Sequence, residues 1–230
     1  MSQPLPPVYD PADAGDQLMH RIRNQLCETV LPGPEVQYRL APTGRSEREH
    51  KARRRSHFRE SSVMILICRD RIDGPSYVPL IRRADGPHVH AGQIALAGGK
   101  VELSDPSRWH AALRENEEEL GLSTRLVTLL GRLSPVYIPV SRFAVYPYVG
   151  WYHGLPPAFY PAEEEVAEVL KLPLSELIHQ EPSSRRVKIR GQNIEVPAFC
   201  LGEHVIWGAT AMMLAEWKHI CKHINLFPSG

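Results

Sequence analysis

Glu115, Glu118 and Glu119 stand three and four residues apart in the run Arg114-Glu115-Asn116-Glu117-Glu118-Glu119-Leu120-Gly121-Leu122. At about 100° per residue on a helix, this spacing gathers the three carboxylates within about 100° of arc, with Trp109, Leu113 and Leu120 on the opposite side. One face is then core and the other a patch of carboxylates. Such a patch is either a solvated acidic face or a site for a positive group. Carboxylates held this closely repel one another, and a hard dication with oxygen ligands relieves the repulsion. A dication in turn draws an anionic substrate, and phosphate oxygens suit it.

The residues around this run are of the kinds that would hold it in place. Gly98-Gly99 forms a turn that a side chain would obstruct, Asp105 and Pro106 read as an N-cap and first helical position, and Gly121 reads as a helix stop. These signals predict a helix from Pro106 to Leu120. Upstream, the apolar run from Ser62 to Cys68 reads as a central strand, Tyr77 to Arg82 as the next, and Ile94 to Ala97 as a short apolar lead into the glycine turn. Turn residues separate them at Asp73-Gly74-Pro75 and Asp85-Gly86-Pro87. The order of strand, glycine-rich turn and helix is the setting a metal-and-phosphate site needs.

Gly99, Asp105, Arg114, Glu115, Glu118, Glu119, Gly121 and Leu122 together resemble the signature of the Nudix hydrolases, which cleave nucleoside diphosphates linked to another moiety. Three departures stand out: Asp at the first acidic position, a spacer to Arg114 one residue longer than the general pattern, and Asn116 in place of an apolar residue. The longer spacer resembles the branch containing the coenzyme A pyrophosphatases. That branch's upstream run is matched by Leu80, Arg83, His90-Ala91-Gly92-Gln93 and Gly98-Gly99, with Leu96-Ala97 and His88 departing from it. Its N-terminal pattern is matched by Leu31-Pro32-Gly33, Gln37 and Ala41-Pro42-Thr43-Gly44-Arg45.

The resemblance implies an α/β fold, an α/β/α sandwich around a mixed sheet, here with an N-terminal helical extension. It implies that Glu115, Glu118 and Glu119, with a backbone carbonyl of the glycine turn at Gly99, hold Mg²⁺, or Mn²⁺ in its place. Arg114 would orient Glu115, with Asp105, Gly98 and Gly121 in structural roles. Glu165, directly before Val166, stands where the family places an acidic residue over the site, as an additional ligand or a water-activating base. Arg83 and Gln93 become candidates for substrate binding, and the favoured substrate is CoA-type, with ADP-ribose and other nucleotide diphosphates as alternatives. From residue chemistry come Arg45, whose guanidinium could clamp a diphosphate, and Tyr137 and Tyr146, candidates for stacking on a base.

The 230 residues suit one principal domain: an N-terminal arm, helix and basic segment over residues 1–60, then a hydrolase domain over 61–230 ending in a C-terminal helix. In the first part, Leu18, Ile22, Leu26 and Thr29 predict a helix over Asp16 to Val30 that packs on the main domain or on a second copy in a homodimer. In the second, Leu126 to Leu130, Val136 to Ile138 and Phe143 to Trp151 read as strands, with Pro147 suggesting an edge or bulge. Val166 to Leu170 reads as extended, Arg185 to Ile194 as a hairpin, and Val205 to Trp217 as a helix. A net charge of +1 gives no bulk attraction to nucleic acid or membrane. Scattered cysteines and the lack of an apolar run near 18 residues predict a reduced, cytoplasmic protein, and the resemblance implies a nucleotide-like small molecule as its partner.

Overall fold

The computed structural model describes residues 14–28, 30–42, 58–71, 74–86, 90–139, 141–154, 157–189 and 191–224. Thr29, His88, and Arg45 with most of the basic segment lie outside them, as do Asp73 and Pro87. The elements are α1 (Ala14–Glu28), α2 (Pro34–Gln37), β1 (Arg59–Arg69), β2 (Ser76–Arg83), β3 (Ile94–Ala95), β4 (Gly98–Lys100), α3 (Arg108–Leu120), β5 (Val127–Arg132), β6 (Val136–Ile138), β7 (Phe143–Tyr152), β8 (Val166–Pro173), α4 (Leu174–His179), β9 (Ser183–Ile189), β10 (Gln192–Leu201), β11 (His204–Trp207) and α5 (Gly208–His223).

β1 is the axis of an eight-stranded mixed sheet. It runs parallel to β7 from Arg59↔Phe143 to Ile67↔Trp151 and antiparallel to β2 and β4. Its continuous apolar run is needed because both faces are covered. Val63, Ile65 and Ile67 join a core with Met19, Ile22, Leu26 and the apolar residues of α5, whereas Met64, Leu66 and Cys68 pack with Ala112 and Leu120 of α3. The result is an α/β/α sandwich. The N-terminal helix packs on this body, against β5 and α5. β9, β10 and β11 form a separate antiparallel sheet, the first two strands making the hairpin read from the sequence.

Four local expectations need correction. The cap of α3 is Ser107, whose hydroxyl accepts from the His110 N–H, so the helix starts after Asp105 and Pro106. Asp105 is occupied elsewhere: it accepts from the Glu102 N–H and from Arg114. Leu120 is fully buried, but Trp109 and Leu113 are only partly so, because Ala112, Asn116 and Glu119 take the tightest positions against the sheet. Pro147 sits inside a central strand rather than at an edge. Its missing N–H is tolerated where the neighbour of β7 changes from β5, last paired at Tyr148, to β6, first paired at Val145. Lastly, Val205 to Trp207 is strand, and the helix begins at Gly208, whose φ of 66° makes the sharp turn between the two. Among the described residues no helix is long and apolar enough to cross a membrane.

Candidate active site

The glycine turn and α3 are built around one another. Gly98 lies on β4 with φ 149°, and a Cβ there would collide with the Ser62 carbonyl and Val63 of β1. At Gly99 a Cβ would collide with the Glu115 carboxylate, which therefore lies directly over this residue. Glycine at both positions is what lets the helix carboxylates approach the backbone of the turn.

Glu119 is the most buried of the three acids, with its side chain 1% exposed. One oxygen, Oε2, accepts the Gly98 N–H at 2.7 Å; the other, Oε1, lies 3.5 Å from the Arg83 guanidinium yet has no hydrogen-bond partner. Burial pushes its pKa up to about 7, and the charges of Glu115 and Glu165 push the same way against Arg83 and the Gly98 N–H. Burial also raises Glu115, opposed by its hydrogen bond to Arg114.

Arg114 ties these groups to the loop before the helix. It grips Asp105 with two hydrogen bonds of 3.0 Å, reaches the Lys100 carbonyl at 3.1 Å, and donates to Glu115 at 2.9 Å and Glu118 at 2.8 Å. The planar guanidinium is needed for so many simultaneous contacts. Asp105 is held below the usual carboxylate range mainly by that hydrogen bond, and Arg114 is raised in return. Gly121, at φ 66°, closes α3 by donating to the Glu117 carbonyl. On the buried side, Asn116 donates to the Ala112 carbonyl within α3 at 2.8 Å and reaches the Ala97 carbonyl ahead of the glycine turn at 3.4 Å.

Beside this turn opens a cavity of about 560 Å³. Arg83, Gln93, Gly98, Gly99 and Glu165, all singled out in the sequence, lie on its wall, joined by His90, which pairs with Gln93 at 3.1 Å. Tyr137 and Tyr146 do not. Tyr137 packs edge-on against Phe58, and Tyr146 lies under the Arg108 guanidinium at 3.8 Å, bracing Arg108 against Glu60. The aromatic residues on the wall are instead Phe143 and Trp207, joined by Lys100, Thr210 and Met213. By sequence Phe143 reads as a sheet residue and Trp207 as part of a helix, and no local spacing marks them as neighbours.

Among the described residues no three His, Cys, Asp or Glu side chains converge as a ready ligand set, since Arg114 engages Glu115 and Glu118. The donors nevertheless fit a hard divalent cation: all are oxygens, Glu119 Oε1 is buried without a hydrogen bond, and Glu115 and Glu165 each raise the cost of ionising Glu119.

The NUDIX domain model matches residues 58–190. A protein named uncharacterized Nudix hydrolase NudL, from Yersinia pestis (strain Pestoides F), is 35% identical over 173 residues, 73% of this chain and 81% of that protein. The solved structure of a Nudix hydrolase from M. smegmatis, RenU, is 16% identical with a TM-score of 0.48, over 75% of this chain and 89% of that one. A MutT/nudix family protein from Enterococcus faecalis is 18% identical, also with a TM-score of 0.48, over 82% of this chain and 73% of that one.

Proposed function

Because the chain belongs to the Nudix family, we propose that it hydrolyses the diphosphate linkage of nucleoside diphosphate derivatives with Mg²⁺ or Mn²⁺, CoA-type substrates ahead of ADP-ribose. The observation that carries this reading is the meeting of Glu115 and Glu119 with the Gly98-Gly99 turn at the edge of a cavity large enough for a nucleotide-like ligand.

Glu115, Glu118 and Glu119, with the Gly99 carbonyl, would hold the cation. When bound, it neutralises the diphosphate and lowers the pKa of the attacking water. The chain's own groups do the rest. Arg114 orients Glu115 and Glu118 from its anchor on Asp105. Arg83 and Lys100 bring positive charge to the wall where phosphate oxygens would lie. Glu165, whose backbone carbonyl accepts from Ala84 beside Arg83, presents a carboxylate on that wall and is the candidate to take the proton from water. No serine or cysteine stands in a nucleophile triad in this reading, and hydrolysis is direct.

The preference for CoA-type substrates is supported by the run from His90 to Gly99. Its members His90, Gln93, Gly98 and Gly99, together with Arg83 upstream, all matching the CoA-cleaving branch in sequence, line one cavity. The test is kcat/KM for CoA, dephospho-CoA and ADP-ribose under one set of conditions. CoA at least tenfold above ADP-ribose supports the assignment; the reverse order rejects it and leaves diphosphate hydrolysis standing.

A further inference from the structure

Asn116 stands in α3 where the resembled signature has an apolar residue, and it is only 1% exposed. Ala97 and Ala112, the residues its amide reaches, belong with Met64 and Leu120 to a buried apolar cluster in which leucine or alanine would be at home. One N–H goes to the Ala112 carbonyl in the preceding turn of the helix at 2.8 Å, and one to the Ala97 carbonyl at 3.4 Å. Among the described residues Oδ1 is buried without a hydrogen-bond partner. Each of these features weakens the fold. Asparagine is a poor helix former, an amide bonded to the preceding turn competes with the helix's own bonds, and a buried acceptor left unanswered is destabilising. Stability alone favours an aliphatic residue here; what asparagine adds is the contact with Ala97.

That contact completes a grip on one peptide. The Ala97 carbonyl and the Gly98 N–H are the two ends of a single planar unit, so holding both fixes the plane. Asn116 holds the oxygen, and Glu119, three residues further along the helix, takes the N–H at 2.7 Å. The Met64 N–H of β1 reaches the same oxygen at 3.1 Å, which pins the peptide between strand and helix. The pinning is needed because Gly98, without a Cβ, does little to resist rotation of this plane. Such a rotation would swing the N–H away from Glu119 and carry the Gly99 carbonyl with it. We propose that Asn116 is a positioning residue for Glu119 and the glycine turn, acting through the Ala97–Gly98 peptide. Its role presupposes the reading under Proposed function, in which Glu119 and the Gly99 carbonyl hold the cation.

The test compares the full chain with Asn116→Leu, and with Asn116→Ala should the first fail to fold. Three quantities are read: exchange of the Gly98 amide by NMR in EDTA, Mn²⁺ binding without substrate by electron paramagnetic resonance, and the denaturant midpoint in EDTA. In the leucine variant the Gly98 amide should exchange roughly 2- to 10-fold faster while the other amides of α3 keep their rates, the share that one neutral hydrogen bond carries. Mn²⁺ should bind weaker by about the same factor, below the roughly 10- to 100-fold that loss of a direct partner of a metal ligand brings, because the bond to Ala97 is long and acts through a peptide. The midpoint should stay or rise. Unchanged Gly98 exchange or unchanged Mn²⁺ binding in a folded variant overturns the role of Asn116 and leaves the cation reading standing. Weaker binding that comes with a lower midpoint and faster exchange throughout α3 also overturns it, in favour of a merely structural residue. A parent chain that binds no Mn²⁺ overturns the reading under Proposed function and this role together.

Discussion

Replacing Glu119 by Gln should separate the cost of burying this carboxylate from its use. Its pKa of about 7 against an ordinary 4.5 means that folding favours the protonated form. Below pH 4.5 both states hold the proton and nothing is lost. Between 4.5 and 7 the unfolded chain ionises first, so stability falls as pH rises, and above 7 the whole loss is present. At 1.36 kcal/mol per pH unit, that loss is about 3 kcal/mol. Gln cannot ionise, and its carbonyl still accepts the Gly98 N–H, so the decline disappears. Measured with EDTA present, the melting temperature of the variant relative to the parent should rise between pH 5 and pH 8.5 by roughly 6 to 12 °C for a chain of this size. In the Mg²⁺-dependent assay the same variant should lose at least about tenfold in kcat, because an amide is a poor ligand for a hard cation. Parallel pH profiles for parent and variant would refute the electrostatic reasoning, and activity within twofold at saturating Mg²⁺ would refute the ligand assignment.

Gly99→Ala should lower kcat by more than tenfold while the protein still folds, because the added methyl displaces the Glu115 carboxylate; circular dichroism alongside kinetics checks both parts. Leu120→Ala should cost about 2 to 5 kcal/mol in denaturant unfolding and Leu113→Ala distinctly less, since only Leu120 is fully buried. Equal costs would overturn the face assignment of α3. Glu216→Ala should cost about 2 to 4 kcal/mol and expose the N-terminal segment to protease, because this buried carboxylate accepts from the Gly33 and Ser134 N–H groups and from Gln37.

The helix that carries the acids was legible because its spacing and flanking glycines are local facts of the chain. β1 was legible for the same reason, as an unbroken apolar run. Ser107 was missed because Asp105 is an equally good cap by type, and only the folded position of Arg114 shows that Asp105 is already occupied. Val205 to Trp207 joined the helix in the sequence reading because a short apolar stretch fits either period; its pairing with β10 decides for strand. Pro147 argued for an edge or a bulge because its missing N–H matters only if a neighbour needs it, and the change of partner from β5 to β6 at that point cannot be read from one strand. The aromatic part of the cavity wall was hidden for another reason. Phe143 and Trp207 are far apart in the chain, and each has an ordinary local role in a sheet.

Hydrolysis of an adenosine diphosphate ester in ¹⁸O-labelled water, with Mg²⁺ titrated from zero and products weighed by mass spectrometry, tests the central claim most directly. The expected result is activity that requires the cation, two phosphomonoester products, and one ¹⁸O atom in only one product of each cleavage. Cleavage that persists unchanged in EDTA, or release of phosphate from a monoester lacking any diphosphate, would contradict it.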